Sequence, residues 1–150
     1  MGYAYSAMGR YEILEHTADK GLEVYADDLR ELFRLAGQGL FALMIDTSRY
    51  PPTESVPIVW EALDLEMLVV RWLNELLYQF EVYHRLFSEF DSVSVESRKG
   101  RWYGEAQAWY RPIQPAELEW EGAPVKSVTY HGLKLERTES GWFLRFYVDV

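Results

Sequence analysis

The chain has 150 residues, a formal net charge of −9 and no cysteine. Its composition of 49% hydrophobic and 26% charged residues is that of a globular domain and argues against a disordered chain. The negative charge argues against a protein that grips nucleic acid through its phosphates, since such binding needs clustered lysine and arginine. The lack of cysteine excludes disulfide frameworks, cysteine-based zinc sites and thiol catalysis.

The distribution of apolar residues predicts neither a membrane span nor a secretory signal. No apolar run approaches the ~18 residues that a membrane span needs, and residues 1–10 lack the charged start and apolar stretch of a secretory signal. We therefore expect a cytoplasmic protein with no membrane association. Residues 1–10 are expected to be a poorly ordered N-terminal extension, and residues 11–150 a single domain.

The first half of the chain predicts two helices. Residues 11–15 and 21–26 precede them as short strands, the second with strict apolar alternation. Asp28 is a candidate N-cap for a helix running from Leu29 to Met44. Asp64 is a candidate N-cap for a longer helix whose apolar ladder runs from Leu65 to Phe80 without glycine or proline.

Strands are predicted between the two helices and from Leu86 onward. Residues 56–61 form a strand that Pro57 restricts to a sheet edge, and turns are expected at residues 98–100 and 139–141. The remaining strands are expected at Leu86–Phe90, Ser92–Ser97, Trp102–Tyr110, Val125–Leu135 and Gly141–Val150. Two helices followed by a run of strands indicate an α+β fold with layered β-sheets packed against two main helices and a strand-rich C-terminal half.

A few polar residues stand out as candidates for chemistry. His16 and Asp19 lie in a turn, where Asp19 either bonds its own backbone or serves as an acidic ligand for a hard cation. Asp149 follows an apolar strand, so it is either a solvent-facing acid or is held by partners. Strand alternation places Lys126 on the face opposite to His131.

Four segments taken together resemble the archease family. They occur in the same order as in that family and extend over residues 11–150, and the helix that begins near Glu31 is also similar. The four segments are His16-Thr17-Ala18-Asp19-Lys20-Gly21, Trp72-Leu73-Asn74-Glu75-Leu76-Leu77-Tyr78, Val125-Lys126-Ser127-Val128-Thr129-Tyr130-His131 and Asp149-Val150.

The resemblance implies a function in tRNA splicing. Archeases are non-catalytic accessory proteins of the GTP-dependent tRNA-splicing RNA ligase, and they promote its guanylylation and multiple turnover. They can also broaden the nucleotide that the ligase accepts. The resemblance therefore implies that this chain is not itself an enzyme, that its partner is this ligase, and that it does not bind nucleic acid stably by itself.

The resemblance also implies an acidic metal site. It assigns Asp19 and Asp149 as ligands, with Val150 as a backbone oxygen ligand, and it makes Ca²⁺ or Mg²⁺ the expected cofactor because hard cations prefer oxygen. Lys126 corresponds to a family lysine, and we expect it to contact the partner or a phosphate. His16 and His131 are weaker candidates for the same contact.

Lys20 departs from the family pattern, in which an apolar residue often follows the acid. Its ammonium would oppose metal binding if it approached the ion, but in an extended segment it should point away from Asp19. Two other functions compete with the family function. One is a metal-dependent phosphoesterase using Asp19 and Asp149 with His16 or His131 as base, and the other is a chaperone or scaffold for RNA-processing proteins that acts through exposed aromatic surface.

Overall fold

The computed structural model describes residues 9–15 and 18–150 of the chain. In that part it has eight β-strands and two α-helices, with short 3-10 turns at Thr47–Arg49 and Pro115–Glu117. In chain order the elements are β1 (Arg10–Leu14), β2 (Gly21–Ala26), α1 (Leu29–Ala42), β3 (Glu54–Ala62), α2 (Leu65–Tyr83), β4 (Arg85–Arg98), β5 (Arg101–Pro112), β6 (Ser127–Val128), β7 (Lys134–Thr138) and β8 (Gly141–Asp149).

The strands form two antiparallel sheets, which confirms the predicted α+β architecture. In the larger sheet the order is β1-β2-β8-β6, and β7 pairs with β8 as well. The smaller sheet has the order β3-β5-β4, so that β3 with its Pro57 lies at an edge as predicted. β8 therefore holds the larger sheet together, since β2 lies on one side of it and both β6 and β7 lie on the other.

Both helices begin at the predicted aspartates. Asp28 Oδ1 accepts a hydrogen bond of 2.9 Å from the Glu31 N–H, and Asp64 Oδ1 accepts one of 2.8 Å from the Met67 N–H. These bonds satisfy amide groups that the first turn of a helix leaves without partners. α1 ends at Ala42, slightly earlier than predicted, and α2 continues to Tyr83.

One hydrophobic core joins the helices to both sheets. At its centre the indole of Trp72, on α2, is fully buried and stacks on Trp60 of β3 with ring centroids 4.3 Å apart. The Trp72 Nε1–H donates to the Phe33 carbonyl of α1 at 2.9 Å. This bond satisfies the indole donor inside the core, where an unpaired polar group is costly.

The segment predicted as one strand over residues 125–135 is instead broken in the middle. Only Ser127–Val128 and Lys134–Thr138 are strands, and the turn between them carries Gly132 with a φ of 69°. A Cβ at Gly132 would lie 2.7 Å from the Tyr147 ring. The chain turns here because this glycine allows both the left-handed backbone and the close approach to Tyr147. The predicted break near residue 91 is also wrong, since β4 runs through it with register shifts.

The expected N-terminal extension falls mostly outside the described residues. Arg10 is an exception, because it is the first residue of β1 and its guanidinium carbon lies 4.1 Å from the centroid of the Tyr25 ring. β1 therefore begins one residue before the predicted strand.

The cap of α1 should make stability depend on pH. The hydrogen bond from the Glu31 N–H holds the pKa of the Asp28 carboxyl below its usual value. A lowered folded-state pKa means that the stabilisation is present above the unfolded pKa of about 4 and is lost as the pH falls through the folded value. At pH 7 Asp28→Ala should lower the free energy of unfolding by about 1 kcal/mol, measured by urea denaturation.

Asp28→Asn is the matched control, because asparagine caps about as well as aspartate and does not titrate. The stability difference between the wild-type protein and the alanine variant should shrink in acid, whereas the difference between the asparagine and alanine variants should not. A pH-independent difference in both comparisons would contradict this account of the cap.

Candidate functional site

The pairing of β2 with β8 decides where the two candidate metal ligands lie. Gly21 is opposite Tyr147, and the Val148 N–H donates to the Lys20 carbonyl at 2.9 Å. Asp19 precedes Lys20, in a bend just before β2 begins, and Asp149 follows Val148 at the end of β8. The bond between Lys20 and Val148 therefore places the backbones of the two acids at the same end of the sheet. If the register continued beyond its last pair, Asp19 would lie opposite Asp149, at a Cα separation of about 4.5 Å.

Both acids are exposed. In β8 Phe146 and Val148 are buried, whereas Tyr147 is partly exposed and Asp149 is exposed. Because side chains alternate between faces along a strand, Asp149 shares the outer face of the sheet with Tyr147. Gly21, two residues after Asp19, packs against the same ring, and a Cβ there would lie 2.6 Å from it.

Asp149 is also held by β6. Ser127 lies directly opposite it, and the Ser127 hydroxyl donates to Asp149 Oδ2 at 3.2 Å. The Lys126 N–H donates to the Asp149 carbonyl at 2.7 Å. The backbone of Lys126 is thus next to the acid, and its side chain is exposed. The structure agrees with the alternation predicted here, because Val128 is buried and Ser127 points outward.

The remaining candidates lie around this pair. Val150 follows Asp149 directly and is exposed. His131 is exposed in the turn after β6, where its N–H donates to Thr129 Oγ1 at 3.3 Å. The adjacent Gly132 packs against Tyr147, so this turn lies on the same outer face as Asp149. His16 lies outside the described residues.

The Lys20 ammonium lies at the C-terminal end of α1. A Cβ on Gly122 would lie 2.4 Å from Lys20 Nζ and 2.2 Å from the Leu43 carbonyl oxygen. The helix dipole favours a cation at this place. Asp19 lines the same cleft as Lys20, so the expectation that the two side chains point in opposite directions stays a prediction.

The oxygen donors of this region suit a hard cation. The described residues contain no group of three or more His, Cys, Asp or Glu side chains that could hold a metal. The acid pair has a serine hydroxyl and backbone carbonyls beside it. Oxygen ligands completed by water are the set that Ca²⁺ and Mg²⁺ take, whereas zinc prefers nitrogen and sulfur.

A cleft opens next to Asp19. It has a volume of about 500 Å³ and lies between the β1–β2 connection and the C-terminal end of α1. Its lining residues are Ile13, Leu14, Glu15, Ala18, Asp19, Lys20, Ala42, Leu43 and Glu121. Asp19 therefore borders a space large enough for part of a ligand or a partner side chain.

Sequence reasoning assigned no role to two residues at this site. Ser127 and Asn74 stand within the segments that resemble the archease family, but neither was a candidate for chemistry. In the structure Ser127 bonds to Asp149, and the Asn74 side chain makes two hydrogen bonds to the backbone of Val128. The available signals were those segments and the fact that Asn74 is the sole asparagine of the chain.

Comparison with known proteins identifies the family. The model of the Archease protein family (MTH1598/TM1083) matches residues 11–150. The chain belongs to the archease family. It is 36% identical over 145 residues to the protein archease of Methanosarcina acetivorans, covering 94% of this chain and 96% of that one. It is 34% identical over 143 residues to that of Sulfurisphaera tokodaii, covering 95% of this chain and 100% of the other.

Two solved structures share the archease fold. Protein 1598 of Methanobacterium thermoautotrophicum is 28% identical and superposes with a TM-score of 0.79, over 93% of this chain and 98% of that one. An archease of Thermotoga maritima, described as a possible chaperone, is 18% identical with a TM-score of 0.57, over 93% and 96% of the two chains. At that identity the second likeness speaks to the fold alone.

No helix within the described residues is both long enough and apolar enough to cross a bilayer.

The register of the acid pair can be tested by cross-linking. Because the chain has no cysteine, Asp19→Cys/Asp149→Cys introduces its only two thiols. Directly opposite residues in this type of pair are within the Cα separation that a disulfide spans. We expect an intramolecular disulfide on mild oxidation, detected by mass spectrometry of the intact protein and its peptides.

Glu23→Cys/Asp149→Cys is the matched control for this experiment. Glu23 is opposite Arg145 and lies on the same face, but it is four residues further along β2 than Asp19. This pair should stay reduced within the monomer. A folded Asp19→Cys/Asp149→Cys protein that forms no intramolecular disulfide would contradict the register.

Proposed function

We propose that this archease is a non-catalytic accessory protein of the GTP-dependent tRNA-splicing RNA ligase. Its role is to promote guanylylation of the ligase and thereby multiple turnover. The observation that carries the proposal is the bond of 2.9 Å from the Val148 N–H to the Lys20 carbonyl, because it joins the residues next to Asp149 and Asp19 at one end of the sheet. Family membership supports the choice of partner.

Asp19 and Asp149 are the proposed side-chain ligands of a divalent cation, Ca²⁺ or Mg²⁺, with the Val150 backbone oxygen as a further ligand. When bound, the ion supplies positive charge that interacts with phosphate oxygens. The Ser127 hydroxyl holds one oxygen of Asp149 and so restricts the rotation of that carboxylate. The exposed Lys126 side chain extends from the backbone next to Asp149 and contacts the ligase or a phosphate.

The charge of the chain fits this partner. A net charge of −9 favours association with a basic RNA-binding enzyme through complementary potentials. The same charge disfavours stable binding of tRNA by this chain alone. The end of the larger sheet that carries Asp19 and Asp149 would thus dock near the nucleotide site of the ligase. There it would position the metal or the triphosphate and stabilise developing charge.

The two competing functions make different demands on these residues. A phosphoesterase needs a base and a denser metal-binding set, and the described residues contain no group of three or more His, Cys, Asp or Glu side chains that could hold a metal. A chaperone acting through aromatic surface would depend on exposed rings such as Trp120, which is 37% exposed. Variants of Asp19, Asp149 and Trp120 therefore distinguish these two functions from the proposed one.

Guanylylation of the purified ligase with GTP and metal tests the proposal. We expect Asp19→Asn and Asp149→Asn to reduce stimulation by about tenfold or more, since loss of even an outer partner of a metal site has effects of that size. Glu139→Gln is the matched control, because Glu139 is an exposed acid in the turn between β7 and β8. It should stimulate like the wild-type protein.

Three results would contradict the proposal. One is full stimulation by both aspartate variants. Another is hydrolysis of a phosphodiester by the purified protein that depends on Asp19, which would favour the phosphoesterase. The third is a loss of stimulation in Trp120→Ala but in neither aspartate variant, which would favour the chaperone.

Metal binding should also appear as stabilisation of the folded protein. A ligand that binds only the folded state at about one hundred times its Kd stabilises by about 2.7 kcal/mol. We expect Ca²⁺ or Mg²⁺ to raise the denaturation midpoint of the wild-type protein and of Glu139→Gln. The midpoint of Asp149→Asn should not respond, and an equal response in all three proteins would place the ion elsewhere.

A further inference from the structure

The side chain of Asn74 links α2 to β6. Its Nδ2–H donates to the Val128 carbonyl at 2.9 Å, and its Oδ1 accepts from the Val128 N–H at 2.9 Å. The amide thus gives Val128 both of the bonds that a neighbouring strand would give to one residue. We call this pair of bonds the Asn74 clamp.

The clamp acts on a strand that has little else to hold it. β6 has only two residues and pairs with β8 through Ser127 opposite Asp149 and Val128 opposite Val148. Among residues 9–15 and 18–150, no strand pairs with β6 on the side away from β8, because β6 is the last strand of that path through the sheet. The two bonds from Asn74 therefore satisfy backbone groups of Val128 that would otherwise lie in a partly buried place without a partner.

The helix end of the clamp is rigid. Asn74 lies in the middle of α2, between residues that are fixed in the core. Leu73 and Leu76 are fully buried, and the neighbouring Trp72 stacks on Trp60. Core packing therefore sets the position of the Asn74 amide, and its two hydrogen bonds hold Val128 of β6 at a matching position.

The segment that the clamp fixes carries contacts to the acid pair. Ser127, next to Val128, donates to Asp149 Oδ2, and the Lys126 N–H donates to the Asp149 carbonyl. Three consecutive residues thus join the core helix to the candidate ligand. A shift of β6 relative to β8 would move the Ser127 hydroxyl away from Asp149 and change where the Lys126 side chain projects.

We propose that Asn74 is a positioning residue for the acidic site. Through Val128 it sets the hydroxyl of Ser127 against Asp149 and fixes the segment that presents Lys126. This inference rests on the proposed metal site, and it assigns to the middle of α2 a role that reaches the outer face of the sheet.

The bonding pattern restricts which side chain can do this. Aspartate keeps an acceptor for the Val128 N–H, but it loses the donor and places a carboxylate against the Val128 carbonyl. Leucine has a similar volume and provides neither bond. The two variants therefore form a graded series in which the shape of the helix surface is largely kept.

The chain offers a matched control in α1. The Gln38 Nε2–H donates to the Ser88 carbonyl of β4 at 3.3 Å, so it too is a helix amide bonded to strand backbone. Ser88 belongs to the other sheet. Gln38→Leu thus removes a comparable link without touching β6 or β8.

The experiment measures two quantities in the full chain at a temperature where every variant is folded by circular dichroism. The first is the affinity for Ca²⁺ and Mg²⁺ by calorimetry. We expect it to weaken roughly tenfold in Asn74→Leu, as for loss of an outer partner of a metal ligand, and to weaken also in Asn74→Asp. Gln38→Leu should bind metal like the wild-type protein.

The second quantity is the hydrogen exchange rate of the Lys126 amide, which is bonded to Asp149. It should rise by roughly tenfold or more in Asn74→Leu, because loss of buried hydrogen bonds lowers the local stability of β6. It should not change in Gln38→Leu. Asn74→Asp supplies both readouts if the leucine variant does not fold.

The outcomes separate this inference from the proposed function. If the wild-type protein binds metal and the folded Asn74 variants bind it equally well, the positioning role is wrong and the proposed function is unaffected. If the wild-type protein binds neither ion, the metal site itself fails, and the inference fails with it as a statement about that site. Unchanged Lys126 exchange in the Asn74 variants would overturn the clamp whatever the metal does.

Discussion

The register between β2 and β8 is the constraint on which the candidate site depends. It is set by burial, because Leu22 and Val24 of β2 and Leu144 and Phe146 of β8 are all fully buried on the same face. A slip by one residue would turn these side chains to solvent and bring polar ones into the core.

The fit of Gly21 against the Tyr147 ring strengthens this register, since any side chain at Gly21 would collide with the ring. The hydrophobic core therefore determines which residues lie at the end of the β2–β8 ladder, although neither acid belongs to the core.

Much of the fold follows from local sequence patterns. The capping aspartates, the apolar ladder of α2 and the alternation of residues 21–26 are all read within a few residues, and each corresponds to an element of the structure. Pro57 also indicated its edge position correctly, because proline lacks the amide donor that a central strand needs. These features depend on the backbone and on nearby side chains alone.

Long-range contacts explain what the sequence did not reveal. The break at Gly132 brings that residue against the ring of Tyr147, and Val128 of β6 is bonded by Asn74, which is 54 residues away from it. In the sequence, residues 125–135 alternate as one strand. Alternation shows which face of a sheet each side chain occupies, but it does not show which element lies beside the strand. The proximity of Asp19 and Asp149 was likewise implied only by the family resemblance.

The outer face of the sheet sets both opposite and like charges across its ladders. Glu23 is across from Arg145, with 3.9 Å between their charged atoms, and it is also directly opposite Glu12 of β1. Opposite charges across a ladder stabilise a sheet modestly, whereas like charges directly opposite destabilise it. Charge pairing on this face therefore does not by itself mark the acids at the end of the sheet as a binding site.

The oxygen atoms that the fold fixes at this end of the sheet favour a binding site instead. The Ser127 hydroxyl holds one carboxylate oxygen of Asp149, and the Lys126 N–H holds its carbonyl. Asp19 follows on the other side of β8 and lines the cleft at the C-terminal end of α1 together with Lys20. Two carboxylates at one end of a sheet concentrate negative charge there, and a divalent cation is the ligand whose charge would offset it.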